Sequence, residues 1–354
     1  MGLNRRILEE YVNRRPFYTI LTPYRRIKIK RTARLGDGIS NEVHSLLLAD
    51  VKSEKERRFI LKMYNDDSEK ALREYEILSA LESSGFPVPH VYLYEGNHRI
   101  LGKPFIIMDE VGGKSINRYI ENLKGKSEER KKKIQTVVKL FAETLAELHK
   151  LRWENLNLSK FNPPRDEYEY AEKQSIILRF LIDYFQRNFH IKVNEDFTTP
   201  INWLQSNARL NPCERYSIIH GDYSLDNVII ADDEKVVVID WESAEIGDPL
   251  ADVGYAYHFV RLMLGPRKVN SEGVDLAEHF ISYYEGAFGR SIDKSRLEFY
   301  KVSAALKLAV FLNVFIRSRL ILKNLKWILL YPLFYWFLRG WRNYIKSFVR
   351  KNIT

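Results

Sequence analysis

The sequence predicts an α+β fold in which the first third of the chain is mainly strands and the remainder is mainly helices. Three strand-like runs occupy residues 27–35, 42–50 and 58–64, and a glycine-containing turn at residues 36–38 separates the first two. Beyond residue 113, apolar residues recur every three or four positions, which is the helical period. The chain has 354 residues, of which 45% are hydrophobic, so it can bury a large core.

The N-terminal part is completed by one helix and two further strands. Apolar residues at helical spacing predict the helix over residues 68–85, with Ser68 as its cap. After two prolines, strands are predicted over residues 90–96 and 104–110.

The boundary between the strand-rich and the helical parts is placed near Val111. Residues 1–110 are the predicted N-terminal lobe, including an extension over residues 1–23, and residues 111–354 are the predicted helical C-terminal lobe. The clearest helical periods of the second lobe lie over residues 132–151, 174–189 and 301–348.

Composition excludes several classes of protein. The single cysteine, Cys213, excludes an internal disulfide and most zinc sites, and it indicates a reducing compartment. Residues 1–15 contain no apolar run of signal-peptide length, so we expect a cytoplasmic protein. The most apolar stretch, residues 327–338, is too short to span a bilayer.

The formal net charge of +10 comes from 56 Lys and Arg against 46 Asp and Glu, and it raises the question of an anionic partner. We expect no nucleic-acid partner, because the basic runs before the last helix lack interleaved aromatic residues.

The last predicted helix has one apolar face, formed by Trp341, Tyr344, Ile345 and Phe348. Its other face is basic, with Arg339, Arg342, Lys346 and Arg350. We predict that the apolar face packs on the C-terminal lobe; peripheral contact with a membrane is the alternative.

A polar loop between the short apolar runs at residues 218–219 and 228–230 carries the strongest chemical signal. It contains Asp222 and, five residues later, Asn227. In a kinase catalytic loop, an aspartate orients the acceptor hydroxyl and an asparagine at this spacing helps to bind magnesium. A strongly apolar strand then ends in Asp240, where a second metal-binding carboxylate belongs. Asp240 alone also fits a strand-end cap, but the three residues together indicate metal-assisted phosphoryl transfer.

The turn between the first two strands is a candidate phosphate-binding loop. Gly36 and Gly38 let the backbone approach phosphates closely, and Ser40 and Asn41 offer N–H groups or side chains. An ordinary hairpin turn explains the same residues, so this motif is weak on its own.

Lys62 on the third strand is the candidate for binding the nucleotide phosphates. It shares a strand face with Ile60, which is then placed to touch the base. Such a lysine needs a carboxylate to hold it, and Glu74 and Glu76 on the next helix compete for that role. Two residues along a helix are about 200° apart, so only one of them faces the sheet, and the neighbouring apolar stripe favours Glu74. The alternative for Lys62 is a solubility lysine on an edge strand.

Taken together, these residues resemble the aminoglycoside phosphotransferase and choline kinase superfamily. Its His-Gly-Asp loop matches residues 220–222, and its C-terminal signature matches residues 240–255. The connecting phrases at residues 85–96, 101–113 and 145–151 are also typical of it. The resemblance spans residue 35 to about residue 257 and is strongest to the phosphotransferase branch that is also found fused to some acyl-CoA dehydrogenases.

The resemblance implies a bilobal protein-kinase-like fold, with a small antiparallel sheet and one helix in the N-terminal lobe and a mostly helical C-terminal lobe. Residues 1–110 are then the nucleotide-binding lobe, and residues 111–354 contain the catalytic loop, the metal site and the acceptor pocket. It implies that Asp222 is the catalytic base, that Asn227 and Asp240 bind magnesium, and that Glu242 assists a second metal ion. The implied adenine-binding hinge includes Met108, Glu110 and Val111. ATP and Mg²⁺ are the implied cofactors, with GTP left open as the nucleotide.

Two other functions are weighed against a small-molecule kinase. A protein kinase is disfavoured because Gly221 replaces the arginine that reads a phosphorylated activation loop, and residues 247–249 follow Asp240 too closely to leave room for one. A nucleotide-binding pseudokinase or scaffold is the remaining alternative, although no catalytic carboxylate or metal ligand is missing.

The acceptor is expected to be a small hydroxyl-bearing molecule. By the resemblance, we expect the acceptor pocket to be formed by residues 151–215 together with residues 1–23 and 291–354, two segments that match no motif of the family. Residues 151–215 contain nine Lys and Arg and nine Asp and Glu, whereas a polycationic aminoglycoside needs an acidic surplus. We therefore expect a neutral or anionic acceptor.

Overall fold

The structure is a computed structural model, and it describes residues 3–14, 26–35, 41–65, 67–124, 128–189, 195–233, 235–264, 275–321 and 339–351. The chain divides into two compact units. Unit 1 comprises Met1–Ser115, Glu154–Phe161 and Val228–Ala244. Unit 2 comprises Ile116–Trp153, Asn162–Asn227 and Glu245–Thr354. The functional division predicted between residues 110 and 111 stays a prediction, since each unit draws on several stretches of the chain.

The secondary structure alternates between the two units along the chain. The strands are β1 (Ile27–Arg34), β2 (Asn41–Asp50), β3 (Glu56–Tyr64), β4 (Val91–Glu95), β5 (Phe105–Asp109), β6 (Gly113–Ser115), β7 (Ser217–Ile219), β8 (Val228–Ala231), β9 (Val236–Val238) and β10 (Glu245–Gly247). The helices are α1 (Arg5–Arg14), α2 (Ser68–Ser83), α3 (His98–Leu101), α4 (Ile116–Asn122), α5 (Glu128–Lys150), α6 (Glu169–Phe189), α7 (Glu195–Asn207), α8 (Pro249–Met263), α9 (Leu276–Phe288), α10 (Lys294–Ile321) and α11 (residues 339–351). The predicted α+β class is confirmed.

Unit 1 is built on a five-stranded antiparallel sheet with the order β1-β2-β3-β5-β4. All five predicted strands are present. A second sheet, β6-β8-β9, lies in the same unit, and Val238 of β9 donates its backbone N–H to the carbonyl of Pro87 at 2.9 Å. This contact fixes the end of β9, which leads into the turn that carries Asp240.

Helix α1 covers one face of the five-stranded sheet. Its Leu8 and Val12 are fully buried in a core cluster with Ile29 and Leu61 of the sheet. Asn13 ties the helix to β1, because its side chain accepts the N–H of Ile27 at 2.8 Å and donates to the carbonyl of Ile27 at 2.9 Å. The sequence contains no motif here, so the structure alone assigns residues 5–14 to the core of unit 1.

The N-cap of helix α2 lies one residue before the predicted cap. Asp67, not Ser68, is the N-cap, and its carboxylate accepts the N–H of Lys70 at 2.8 Å. Aspartate caps as well as serine does and also interacts favourably with the positive end of the helix dipole. The buried face of α2 contains Ala71, Glu74, Ile77, Leu78, Ala80 and Leu81.

Unit 2 is a helical bundle around α5, α8, α9 and α10, with one antiparallel strand pair, β7 and β10. Helix α8 begins at Pro249, and Asp248 caps it by accepting the N–H of Leu250 at 2.9 Å. Gly254 lets α8 approach α10 closely, because a Cβ at this position would lie 2.8 Å from the backbone carbon of Tyr300.

The final helix, α11, packs by the predicted apolar face. Trp341, Ile345 and Phe348 are buried, and the ring of Phe348 meets the ring of Trp203 edge-on at 4.7 Å. The hydroxyl of Tyr344 donates to Glu298 at 2.6 Å. This face is therefore occupied within unit 2. Residues 327–338 lie outside the described residues, and no helix in the described part of the chain is long and apolar enough to cross a membrane.

A buried histidine in unit 2 should make the stability of the protein depend on pH. His258 donates to the carbonyl of Lys301 at 2.8 Å, and burial lowers its pKa to about 4, against about 6.5 in an unfolded chain. Between these two values only the unfolded chain binds the proton, so stability is lost as the pH falls from 6.5 towards 4. We expect the loss from this group to approach about 3 kcal/mol. Urea unfolding measured across this pH range tests the expectation.

The control is the His258→Gln variant, which keeps an N–H donor but does not titrate. Its stability should fall less steeply than that of the wild type between pH 6.5 and pH 4. Parallel curves of unfolding free energy against pH for the two proteins would show that His258 does not contribute to the pH dependence of stability.

Candidate functional site

Unit 1 contains a cavity of about 550 Å³ in which apolar walls meet a cluster of charged groups. The apolar residues of its lining are Leu35, Val43, Ile60, Pro89, Met108, Val111, Ile229 and Ile239. The polar residues are Asn41, Lys62, Asp109, Glu110, Asp240 and Glu242. This combination suits a nucleotide, since its base is flat and largely apolar and its phosphates are charged.

The alternation of β3 brings Ile60 and Lys62 to this cavity. Leu61 and Met63 point to the opposite side and belong to the core cluster. The strand register pairs Ile60 with Met108 of β5. One strand therefore supplies both an apolar wall and a cation two residues apart.

The ammonium group of Lys62 lies among three carboxylates. Its Nζ is 2.6 Å from Asp240 Oδ1, 2.9 Å from Glu74 Oε2 and 3.1 Å from Glu242 Oε2. Burial by itself lowers the pKa of Lys62, but the negative charges of these carboxylates outweigh burial and raise the pKa above its ordinary value. Lys62 is therefore a permanent cation, although it is only 4% exposed.

Glu74 and Glu76 take different roles because they point to different sides of α2. Glu74 is 1% exposed and also accepts the hydroxyl of Tyr64 at 2.6 Å. Glu76 instead accepts from the hydroxyl of Ser159 at 2.6 Å and from the backbone N–H of Lys160 at 2.9 Å, and it does not contact Lys62. The structure thus places Glu74 against Lys62, while the contact of Lys62 with phosphates stays a prediction.

Asp240 and Glu242 form the part of this cluster that fits a metal ion. Asp240 has a φ of 66°, a left-handed conformation that is uncommon outside glycine and is tolerated by aspartate. Glu242 accepts from the side-chain amide of Asn41 and lies 3.5 Å from Lys70. Ligand atoms of Glu74, Asp240 and Glu242 lie within 4.8 Å of one another. Lys62 contacts all three carboxylates, but Glu74 is buried and also accepts from Tyr64, so the carboxylates suited to a hard cation such as Mg²⁺ are the more exposed Asp240 and Glu242.

The predicted hinge residues Met108, Glu110 and Val111 all line the cavity. The carboxylate of Glu110 accepts from the hydroxyl of Ser45, and its backbone N–H donates to the carbonyl of Arg58 at 3.4 Å. Of the predicted phosphate-binding turn, Asn41 lines the cavity, and Gly36, Gly38 and Ser40 lie outside the described residues.

In unit 2, the loop after β7 is held by its backbone. The N–H of His220 donates to Asp252 at 2.6 Å, and the N–H of Gly221 donates to the same carboxylate at 2.9 Å. Gly221 has a φ of 77°, which glycine adopts without strain. Burial alone raises the pKa of Asp252, but hydrogen bonds and charge from His149 and His220 outweigh it and hold the pKa below its ordinary value. An ionised, buried acceptor thus anchors the loop to α8.

The carboxylate of Asp222 is held by one partner on each oxygen. Tyr255 of α8 donates its hydroxyl to Oδ1 at 2.5 Å, and Asn227 donates its amide to Oδ2 at 3.0 Å. Burial, and then the charge of Asp222, raise the pKa of Tyr255 well above its ordinary value, so the phenol remains a donor. Asn227 also donates to the backbone carbonyl of Asp222 at 2.9 Å, so its nitrogen faces Asp222 and its amide oxygen is the atom suited to a metal ion.

Two residues of this loop's surroundings were missed from the sequence. Tyr255 lies three residues after Asp252, so helical spacing places both on one side of α8, and that signal was available. Lys307 of α10 donates to the carbonyl of Gly221 at 3.2 Å. No local motif surrounds Lys307, so only the packing of α10 reveals it.

The comparison with family models decides the class of the chain. Residues 33–292 match the model described as the phosphotransferase enzyme family, which is more than half of the 354 residues. The chain belongs to this family. The resemblance drawn from the motifs is thereby confirmed, and the enzyme class is that of phosphotransferases.

A curated relative and two solved structures agree with this assignment. Human acyl-CoA dehydrogenase family member 11 is 28% identical over 226 residues, which cover 60% of this chain and 26% of the relative. The chain therefore matches about a quarter of that protein's length. A protein assigned as an aminoglycoside phosphotransferase from Ralstonia eutropha JMP134 is 18% identical, with a TM-score of 0.68 over 98% of this chain and 99% of the other. Aminoglycoside phosphotransferase APH(4)-Ia, solved with AMP-PNP and hygromycin B, is 14% identical, with a TM-score of 0.61 over 98% of each chain. These two structures show the same kinase-like fold.

Replacing Lys62 should destabilise the protein, because it leaves Glu74 as a buried carboxylate without its cation. We expect Lys62→Met to lower the free energy of unfolding by about 3 kcal/mol. Adding Glu74→Gln to the same chain removes the unpaired charge and should restore most of the loss. Urea unfolding followed by circular dichroism compares the three proteins.

Lys70→Met is the matched control. Its lysine is 31% exposed and lies 3.5 Å from Glu242, so we expect a change below about 1 kcal/mol. If Lys62→Met were as stable as this control, the buried ion pair between Lys62 and Glu74 would not contribute to the free energy of unfolding as expected.

Proposed function

We propose that the chain is a magnesium-dependent phosphotransferase that moves the γ-phosphate of ATP to a hydroxyl group of a small molecule. The observation that carries the proposal is the Asp222 carboxylate, held on both oxygens by Tyr255 and Asn227 within unit 2. Unit 1 adds a nucleotide-sized cavity with the cation of Lys62 in its wall. Membership of the phosphotransferase family supports the same class of reaction.

Asp222 orients the acceptor and receives its proton. The acceptor oxygen forms a new bond to the γ-phosphorus, while the bond from that phosphorus to the β,γ-bridging oxygen breaks. ADP leaves with the bridging oxygen and its electron pair. The hydroxyl proton passes to the carboxylate of Asp222 as the new bond forms, and later to solvent.

The nucleotide is assigned to the cavity of unit 1. Lys62, held by Glu74, is proposed to contact the α- and β-phosphates. The lining residues Met108, Glu110 and Val111 are assigned to adenine. Asn41 is assigned to the phosphates, together with Gly36, Gly38 and Ser40 of the predicted phosphate-binding turn. AMP-PNP in the structure of APH(4)-Ia supports ATP as the donor, and GTP is left open.

Magnesium is assigned to oxygen donors of three residues, Asn227, Asp240 and Glu242. Carboxylate and amide oxygens are the ligands that this ion prefers, and the amide oxygen of Asn227 points away from the nitrogen that binds Asp222. A bound magnesium ion neutralises charge on the nucleotide phosphates.

The acceptor is assigned to the class of neutral or anionic alcohols. The equal numbers of acidic and basic residues over residues 151–215 argue against a polycation. The name of the human relative, an acyl-CoA dehydrogenase, adds hydroxyacyl thioesters to the compounds worth testing. A cytoplasmic location belongs to the same proposal, because ATP is abundant there.

Removing the charge of Asp222 and that of Asp240 should impair the protein in different ways. Asp222→Asn keeps the shape of the side chain, so magnesium-ATP should still bind while transfer falls by about two to four orders of magnitude. Asp240→Asn should weaken magnesium-dependent ATP binding as well as transfer. Calorimetric ATP titrations with and without magnesium, beside ADP-release rates over a panel of alcohols, measure both effects.

Asp226→Asn is the control for the loop. Its carboxylate is exposed and accepts from the side chain of Asn117 at 3.1 Å, so transfer should stay close to that of the wild type. Wild-type transfer by Asp222→Asn would refute the role of this loop. A wild-type protein that binds ATP and transfers phosphate to no acceptor would instead favour a nucleotide-binding scaffold.

A further inference from the structure

Lys307 is a half-buried cation beside the loop that carries Asp222. Its Nζ lies 3.2 Å from the carbonyl oxygen of Gly221 and 5.5 Å from the centre of the Tyr255 ring. Within the described part of the chain, Lys307 has no carboxylate at ion-pair distance. Its two contacts are with a neutral oxygen and the face of an aromatic ring.

Three other cations on α8 and α10 have partners. Arg296 forms an ion pair with the buried carboxylate of Asp248, and Arg261 donates to the hydroxyl of Tyr257 at 2.7 Å. Lys301 lies 4.0 Å from Glu278 and 3.9 Å from the centre of the Tyr257 ring. Lys307 thus differs from Arg296 and Lys301, because no carboxylate of the described residues lies at ion-pair distance from it.

Asp222 has both carboxylate oxygens occupied, by Tyr255 and by Asn227. These two donors are neutral, whereas the hydrogen bond of Lys307 goes to the carbonyl of Gly221. A partly desolvated ammonium group gains most from an anion that can reach it, because a charged hydrogen bond is stronger than the bond to a neutral carbonyl.

We propose that Lys307 forms an anion subsite for the acceptor, in which the ammonium binds a carboxylate or phosphate group of the molecule whose hydroxyl faces Asp222. Lys307 contacts Gly221, the residue directly before Asp222, so a short molecule can present its hydroxyl to Asp222 and its anionic group to Lys307. The inference rests on the proposed function and narrows its acceptor class to anionic alcohols. Lys307 is then a specificity-determining residue.

The competing explanation is that Lys307 only holds the loop through Gly221. A loop-holding residue would act on every acceptor alike, including water, since each reaction needs Asp222 in place. An anion subsite would act only on acceptors that carry an anion, and through KM more than through kcat. This difference sets the design of the experiment.

The experiment measures magnesium-dependent ADP release by the full chain with four three-carbon alcohols of different charge. Glycerol is neutral, glycerate carries a carboxylate, glycerol 3-phosphate carries a phosphate, and 2-amino-1,3-propanediol carries a cation. We expect the wild type to prefer at least one of the two anionic alcohols by about tenfold or more in kcat/KM. The glycerate and glycerol 3-phosphate arms distinguish a carboxylate from a phosphate as the bound group.

Lys307→Met should raise KM for the preferred anionic alcohol by about ten- to one-hundredfold, with kcat and the slow transfer to water within about twofold of the wild type. Lys307→Arg should keep most of the preference, because it keeps the charge. The matched control is Lys294→Met, which removes an exposed lysine at the start of the same helix and should change nothing. If none of the four alcohols accepts phosphate, the two anionic ones should still inhibit transfer to water, and Lys307→Met should abolish that inhibition.

A wild type that prefers the neutral or cationic alcohol would overturn the subsite. So would an equal loss of all transfer, water included, in Lys307→Met, and so would the absence of inhibition by both anions when water is the only acceptor. Absence of magnesium-dependent ADP release with every alcohol and with water would overturn the proposed function itself, and the subsite with it.

Discussion

The buried ion pair between Lys62 and Glu74 is the interaction on which the cavity of unit 1 depends. An ammonium group that is 4% exposed is tolerated only because carboxylates surround it. Glu74 ties β3 to α2, and Asp240 and Glu242 tie the same cation to the turn after β9. Three separate elements are therefore held at one point, and the groups assigned to phosphate and metal are positioned before any ligand binds.

The loop of unit 2 that carries Asp222 is also held in place by side chains of another element, but the groups are different. Its backbone is fixed by Asp252 and its carboxylate by Tyr255, and both of these residues belong to α8. A loop by itself is mobile, whereas a helix packed in a core is rigid, so the side chain of Asp222 gains its orientation from α8. Helix α8 is in turn fixed against α10, where the close approach at Gly254 excludes a larger side chain. The position of Asp222 thus depends on the packing of α8 against α10, which lies outside the loop itself.

Local periodicity was sufficient for much of the candidate site. The alternation of a strand put Ile60 and Lys62 on one face, and the rotation of a helix separated Glu74 from Glu76. The five-residue spacing of Asp222 and Asn227 identified a loop whose side chains contact each other. Periodicity failed where the choice was between chemically similar neighbours, as with Asp67 and Ser68 at the start of α2, and where a segment had no motif, as with α1.

The order and spacing of the residues by themselves determined the α+β class, the strands of the five-stranded sheet and the pairs that lie within one element or one loop. The motifs resembled the phosphotransferase family, and the match to the family model assigned the chain to it. The tertiary structure alone decided the partners that are far apart in the chain. Tyr255 meets Asp222 across 33 residues, Lys307 meets Gly221 across 86, and Asn41 meets Glu242 across 201. Such pairs have no periodic signature, because the packing of whole helices and sheets brings them together and local backbone geometry does not.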